Sequence, residues 1–338
     1  MAGNDVLIRA VNLKKWFPQR RSLTEIIMRK PPKYVRAVDG ISFEIKKKEI
    51  FGLVGESGSG KTTTGRLLLR LIEPDPGSQI FFDGIDILSI PESKFKPFRK
   101  KMQIIHQDPY GSLNPRMKVR DIIAEPLEYL EPELSSDERL ERVVRALEDV
   151  KLTPVDMFIE KYPHQLSGGQ RQRVAIARAL IVNPQFIVAD EPVSMLDVSV
   201  RAGILNLLLD LREKRGIAFL YITHDLATAG YITDRIAVMY LGKILELGPT
   251  EEVLLNPIHP YTRALIAAVP EPDPDIKKER PPLLGEIPSA LNIPSGCRFR
   301  TRCPFADQCP LAKKKEPELV EVKKGHWVAC HLAEKLIE

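Results

Sequence analysis

The stretch EIFGLVGESGSGKTTTGRLLLRLI (49–72) decides the fold. Its opening, EIFGLVG, is short, apolar and followed by glycines, which predicts a buried strand feeding a turn. GESGSGKT (55–62) matches G-x-x-x-x-G-K-[ST]. Gly55, Gly58 and Gly60 let the backbone curl so that its N–H groups point at phosphate oxygens. Glu56, Ser57 and Ser59 complete the same loop, and the helix that follows adds its positive dipole end. Lys61 is expected to reach the β- and γ-phosphates and the Thr62 hydroxyl to ligate Mg²⁺. Thr63 is a further candidate, more simply a helix residue. The helix is predicted over 61–72, ending before Pro74, Pro76 and Gly77.

Working outward, further strand and helix signals alternate through residues 1–250. FFDGIDI (81–87) reads as a hairpin turning at Asp83-Gly84. FIVAD (186–190) and AFLYITHD (218–225) have the apolar character of buried parallel strands. Residues 135–152 predict a helix, capped by Ser135 and Glu138, with an apolar stripe of Leu140, Val143, Val144, Leu147 and Val150. Residues 200–216 predict a helix ended by Gly216, and 235–247 a hairpin turning near Gly242. Prolines punctuate 256–294 (Pro257, Pro260, Pro270, Pro272, Pro274, Pro281, Pro282, Pro288 and Pro294), which predicts a join to a small C-terminal module.

A magnesium–nucleotide site needs a carboxylate from a neighbouring strand, and FIVADE (186–191) ends in two. Asp190 is placed to hold the metal and Glu191 to polarise an attacking water as general base. LSGGQ (166–170) precedes a second helix, so Ser167, Gly168, Gly169 and Gln170 are a second anion-binding candidate. It lies far from Lys61 in the chain. A head-to-tail pair of chains would use both cradles.

The chain has 338 residues, 43% hydrophobic and 28% charged. That is globular composition, about two domains on a prior of roughly 150 residues each. No apolar run approaches the roughly 20 residues that span a bilayer. The first residues carry no apolar core or cleavage pattern of a secretory signal. A cytoplasmic chain is expected, reaching a membrane only through another subunit. A net charge of +5 does not by itself argue for nucleic acid.

With these residues in hand, the chain resembles the ATP-binding subunit of an ABC transporter. The phosphate loop, Gln107, LSGGQ, FIVADE, SMLD (194–197) and His224 stand in that family's order. QDPYGSLNPRM (107–117), YPHQLSGGQRQRVAIARAL (162–180), NPIHPYT (256–262) and GCRFRTRCP (296–304) narrow the resemblance to the oligopeptide/dipeptide importers, over about residues 5–335. The resemblance implies an α/β P-loop NTPase: a mixed sheet core, an antiparallel β subdomain and a helical subdomain (about 107–178) within residues 1–255. A small cysteine-containing extension (256–338) would follow. It implies that Gln107 senses the γ-phosphate and metal and links to the membrane subunit, and that Asp197 faces the second chain. It implies that His224 contacts the γ-phosphate, and that an aromatic, Phe17 or else Trp16, stacks on adenine. It implies a second ATPase subunit (a heterodimer by the details of the loops, or else a homodimer), two membrane permeases and, indirectly, an extracytoplasmic substrate-binding protein, at the cytoplasmic face of the membrane. His106 stands where the family would have Phe. Residues 18–36 form a basic insertion with Arg20, Arg21, Arg29, Lys30 and Lys33, either a solvated loop or a contact with anionic lipid or another subunit.

Cys297, Cys303, Cys309 and Cys330 are separated by five, five and twenty residues, neither zinc-ribbon nor ferredoxin spacing. A [4Fe–4S] cluster, which some members of the resembled subfamily carry on this tail, a zinc ion, or free or disulfide-bonded thiols all stay open. His326 and His331 are alternative ligands, though solvated or structural roles fit them more simply. Arg298, Arg300 and Arg302 are expected to surround the thiols and lower their pKa values.

The leading function is ATP hydrolysis that powers import of peptides, or of oligosaccharides or nickel within the same importer class. A soluble ABC ATPase acting on nucleic acid or ribosomes is the alternative of another class. It fits less well, because the chain has one cassette and no long heptad region between the phosphate loop and LSGGQ. A kinase or GTPase does not account for LSGGQ, and an exporter with fused membrane helices lacks its spans.

Overall fold

The computed structural model describes residues 5–337 except 20, 22–27, 29–30, 270–283 and 287. Arg20, Arg29 and Lys30 of the basic insertion, and Pro270, Pro272, Pro274, Pro281 and Pro282, lie outside the described residues. Arg21 and Lys33 are exposed. The chain divides into two compact units: Met1–Leu7, Ile45–Ile50 and Ile85–Ile222 form the first, and Ile8–Glu44, Phe51–Gly84 and Thr223–Glu338 the second.

In the first unit, Met102–Ile105, Phe186–Asp190 and Ala218–Thr223 pair in parallel, with Ile105 opposite Ala189 and Asp190 opposite Ile222. The latter two strands are buried along their whole length, which is why they read as unbroken apolar runs. Helices Val119–Leu130, Ser136–Asp149 and Gly168–Leu180 pack on one another. The Ser135–Glu138 capping box is present. Val143 and Leu147 are buried as the stripe requires, whereas Leu140 is exposed, one turn too early to reach the neighbouring helices. Val198–Arg215 ends at Gly216, whose φ of 67° closes the helix.

In the second unit, Ile50–Val54 pairs in parallel with Arg235–Tyr240. Lys243–Pro249 turns back antiparallel through Leu241 and Gly242, both with positive φ. His326–Val328 and then Val320–Lys323 extend this sheet, so it is mixed. A separate antiparallel layer sets Val6–Pro18 between Tyr34–Lys46 and Gln79–Phe82. The turn after it has positive φ at Asp83 and Gly84, as the sequence requires. The helix after the phosphate loop runs Lys61–Leu68, shorter than expected, because Arg70 takes a φ of 50° and breaks it.

The cysteine region shares the core of this second unit. Tyr261 and Phe299 are buried in one cluster with Val54, Ile236 and Tyr240, and Cys297 and Cys303 pack against it. A buried carboxylate knits the same region. Glu246 accepts hydrogen bonds from the N–H groups of Ile258 (2.8 Å) and His259 (3.1 Å) and meets His326 Nε2 at 2.8 Å. His326 is thereby tied to structure and not to the thiols.

Among the described residues, no helix is long and apolar enough to cross a membrane.

Candidate functional site: a phosphate loop and a carboxylate strand end

The structure gathers the candidate residues into two groups, one in each unit. In the second unit, the strand Ile50–Val54 delivers the loop and Lys61 opens the helix. Gly60 has a φ of 109°, and a Cβ there would sit 2.0 Å from the Ala37 carbonyl oxygen, so no side chain fits. No side chain caps this helix. Its first-turn N–H groups lack intrahelical acceptors, which is the arrangement that receives an anion. Buried Lys61 curls inside the loop, its Nζ donating to the carbonyls of Gly55 (2.8 Å) and Glu56 (2.9 Å). Thr62 and Thr63 are half-buried in the first turn, and Ser57 is exposed.

The Glu56 side chain faces the C-terminal region. Both its oxygens accept from Arg302, Oε2 from Nη1 at 2.7 Å and Oε1 from Nη2 at 3.0 Å. The Tyr261 hydroxyl accepts the Glu56 backbone N–H at 3.0 Å. Sequence reading assigned Arg302 to the thiols and missed Tyr261. The available signal was charge: a carboxylate inside an anion cradle needs a cation to neutralise it.

In the first unit, strand register does the positioning. Ile105 lies opposite Ala189, so two residues further each chain brings Gln107 beside Glu191. Gln107 Nε2 donates to Glu191 Oε2 at 3.0 Å. Glu191 has a φ of 47°, uncommon for a residue with a side chain, and its N–H is held by the Ile222 carbonyl at 2.9 Å. Asp190 is buried at the strand end. Its carboxylate is a hard oxygen donor of the kind that Mg²⁺ takes.

LSGGQ opens the helix Gly168–Leu180 with a capping box: Ser167 Oγ accepts the Gln170 N–H, and Gln170 Oε1 accepts the Ser167 N–H at 2.9 Å. A Cβ on Gly169 would lie 2.4 Å from a Val200 methyl, so this glycine is required by packing. The segment after Gln107 is fastened to the same helix. The Arg171 guanidinium stacks on Tyr110 at 4.1 Å, and Arg178 donates to the Ser112 carbonyl at 2.8 Å. Half-buried His106 adjoins Gln107. Asp197 is exposed at the start of Val198–Arg215, and His224 is exposed just beyond Ala218–Thr223. Phe17 is 38% exposed. Trp16 is committed elsewhere, its Nε1 donating to Asp39 at 2.9 Å under the Arg36 guanidinium.

The cysteine site departs from expectation. Cys297, Cys303, Cys309 and Cys330 do line one small apolar cavity with Phe299 and His331. Yet Arg298 turns away to the carboxylates of Asp39 and Glu316, and Arg302 to Glu56. Arg300 donates to the Ser295 carbonyl. At Cys297, Cys303 and Cys330 the expected lowering of the thiol pKa is reversed, burial being the largest cause. Burial pushes Cys297 up to about 11 and Cys330 up to about 12, and raises Cys303. Among the described residues, no group of three or more His, Cys, Asp or Glu side chains is arranged to hold a metal ion. The zinc and iron–sulfur expectations thus draw no support from ligand geometry. In kind, four soft donors around one cavity match an iron–sulfur centre.

A profile of the family described as "ABC transporter" matches residues 38–194, and one described as "Oligopeptide/dipeptide transporter, C-terminal region" matches residues 245–309. The chain is 46% identical over 334 residues to the oligopeptide transport ATP-binding protein AppF of Bacillus subtilis (strain 168), covering 98% of each. It is 45% identical over 289 residues to the dipeptide transport ATP-binding protein DppF of Haemophilus influenzae, covering 86% of each. Among solved structures it is similar to the dimeric ATP-binding cassette MJ0796 in a post-hydrolysis state with ADP and Pi. That likeness has a TM-score of 0.62 and 28% identity, over 72% of this chain and 99% of that one. The chain belongs to the ABC transporter ATP-binding family, in its oligopeptide/dipeptide transporter branch.

Proposed function

We infer that this chain hydrolyses ATP to power the import of peptides. The observation that carries this is the Gln107–Glu191 contact, which couples a general-base candidate to a loop fastened on the LSGGQ helix. The phosphate loop binds the triphosphate through its backbone N–H groups and Lys61, and Phe17 stacks on adenine. Thr62, Asp190 and Gln107 would hold Mg²⁺, which would supply charge neutralisation at the phosphates. Glu191 accepts the proton of the attacking water, and His224 steadies the γ-phosphate.

Two chains, this one and a homologous second ATPase subunit, sandwich the nucleotides head to tail, each phosphate loop facing LSGGQ and Asp197 of the other. The dimeric state of a similar cassette with ADP and Pi supports the pairing of two chains. The γ-phosphate ties the two surfaces together and its loss releases them. Closure reaches two membrane permeases through 107–115, an extracytoplasmic binding protein supplies the peptide, and the chain works peripherally at the cytoplasmic face. The test is Glu191→Gln in the assembled transporter. It should stop turnover and trap an ATP-bound dimer, and a variant that stays monomeric with Mg-ATP and its companion chain overturns the sandwich.

The four cysteines are also proposed to hold a [4Fe–4S] cluster, supported by their shared cavity. Anaerobically purified protein should then carry iron and sulfide and be brown, and colourless iron-free protein overturns it.

A further inference from the structure

The cysteine loop CRFRTRC (297–303) reaches into the phosphate loop. Arg302 is 6% exposed, and its guanidinium forks onto both oxygens of Glu56, at 2.7 and 3.0 Å. The Tyr240 ring lies against the guanidinium at 5.8 Å. Tyr261 takes the Glu56 N–H and also meets Glu56 Oε2 at 3.3 Å. Residue 56 is thus held at its amide and its carboxylate, while its carbonyl holds Lys61 Nζ at 2.9 Å. A continuous chain of contacts runs from the loop between Cys297 and Cys303 to the lysine of the phosphate loop. Electrostatics point the same way. An uncompensated carboxylate at position 56 would repel a triphosphate, and a bidentate arginine neutralises it and fixes its direction.

We propose that Arg302 is a positioning residue for the nucleotide site: from within the four-cysteine region it sets the phosphate loop of its own chain through Glu56. This rests on the reading of that loop as the ATP site. The consequence is that the C-terminal extension is part of the machinery of nucleotide affinity. A disturbance of the cysteine loop reaches Lys61 without any contact between a cysteine and ATP.

The experiment is a double-mutant cycle on the full chain, read by equilibrium binding of a fluorescent ATP analogue and, in the assembled transporter, by KM for ATP against kcat. Glu56→Gln and Arg302→Met should each weaken nucleotide binding about tenfold, the cost of losing a charged hydrogen-bonded pair. The double variant should be no worse than either single one. Arg302→Lys should recover part of the loss, because it restores the charge without the fork. KM should rise more than kcat falls. If Arg302→Met does not fold, Glu56→Gln with Arg302→Lys completes the same cycle. Binding indistinguishable from the parent in Glu56→Gln, or losses that simply multiply in the double variant, overturns the proposal. Lys61→Ala separates the two readings. If it still binds nucleotide like the parent, the ATP-site reading falls with the proposal. If it loses binding while Glu56→Gln and Arg302→Lys do not, only the positioning role falls.

Discussion

Two glycine-rich turns open helices in this chain, and they are built to opposite specifications. The helix Lys61–Leu68 has no side-chain cap, and its first residue folds back into the loop that precedes it. The helix Gly168–Leu180 is closed by the reciprocal Ser167–Gln170 box, and its second glycine is wedged against Val200. From sequence both read as anion cradles. In the structure the first has no side-chain cap and the second is closed by one. On the proposed reading, the uncapped start takes the nucleotide of its own chain, and the capped, rigid one meets the nucleotide of a second chain.

Four experiments test that contrast. Glu191→Gln should lower turnover about 10²- to 10⁴-fold, the range for a general base, while nucleotide binding survives. Loss of binding in its place would mean that Glu191 belongs to the cradle and not to the chemistry.

Acid should act next. His259 is buried, its Nδ1 accepts the Tyr261 N–H at 3.0 Å, and burial lowers its pKa from the ordinary 6.5 to about 4. Between those values the unfolded chain binds a proton that the folded chain refuses. Stability is therefore intact above pH 6.5 and falls as the pH drops toward 4, by about 3 kcal/mol. His259→Asn keeps an acceptor for the cap and should flatten this dependence in thermal melts at stepped pH. A dependence unchanged in the variant would assign the acid sensitivity elsewhere.

Lys61→Ala should weaken ATP binding by the isolated chain about 10- to 100-fold, on the scale of charged hydrogen bonds. Ser167→Ala should cost about 1 kcal/mol of stability as a lost cap. It should leave nucleotide binding by the lone chain intact while hydrolysis by the assembled pair falls. If Ser167→Ala weakened binding by the lone chain, the contrast between the two helix starts would break.

Much of this was legible in the sequence, for local reasons. The run from Ile50 to Leu68 is a strand, a glycine turn and a helix in immediate succession, and FIVADE joins a buried strand to its functional end. The helix Val119–Leu130 was not legible, since Pro126 sits inside it and breaks the pattern. The hairpin formed by Val320–Lys323 and His326–Val328 was hidden because its outer strand is short, polar and exposed. Adjacency misled at the cysteines. Arg298 and Arg302 neighbour thiols in sequence but answer buried or half-buried carboxylates at Asp39 and Glu56, distant in the chain and close in the fold. For Asp39, burial alone would raise the pKa, but the hydrogen bond and charge of Arg298 outweigh it and hold the carboxyl below its usual value. No pattern of spacing reveals such pairings. Only counting which charges need a counter-ion could have suggested them.

The missing methyl at Gly169 has a mechanical consequence. With Val200 pressed into that gap, the start of the signature helix cannot slip past the helix that begins after Asp197. The Arg171–Tyr110 stack clips the segment after Gln107 to the same block. A shove delivered to residues 109–112 would therefore bear on the starts of both helices together, as torque passes through meshed gears.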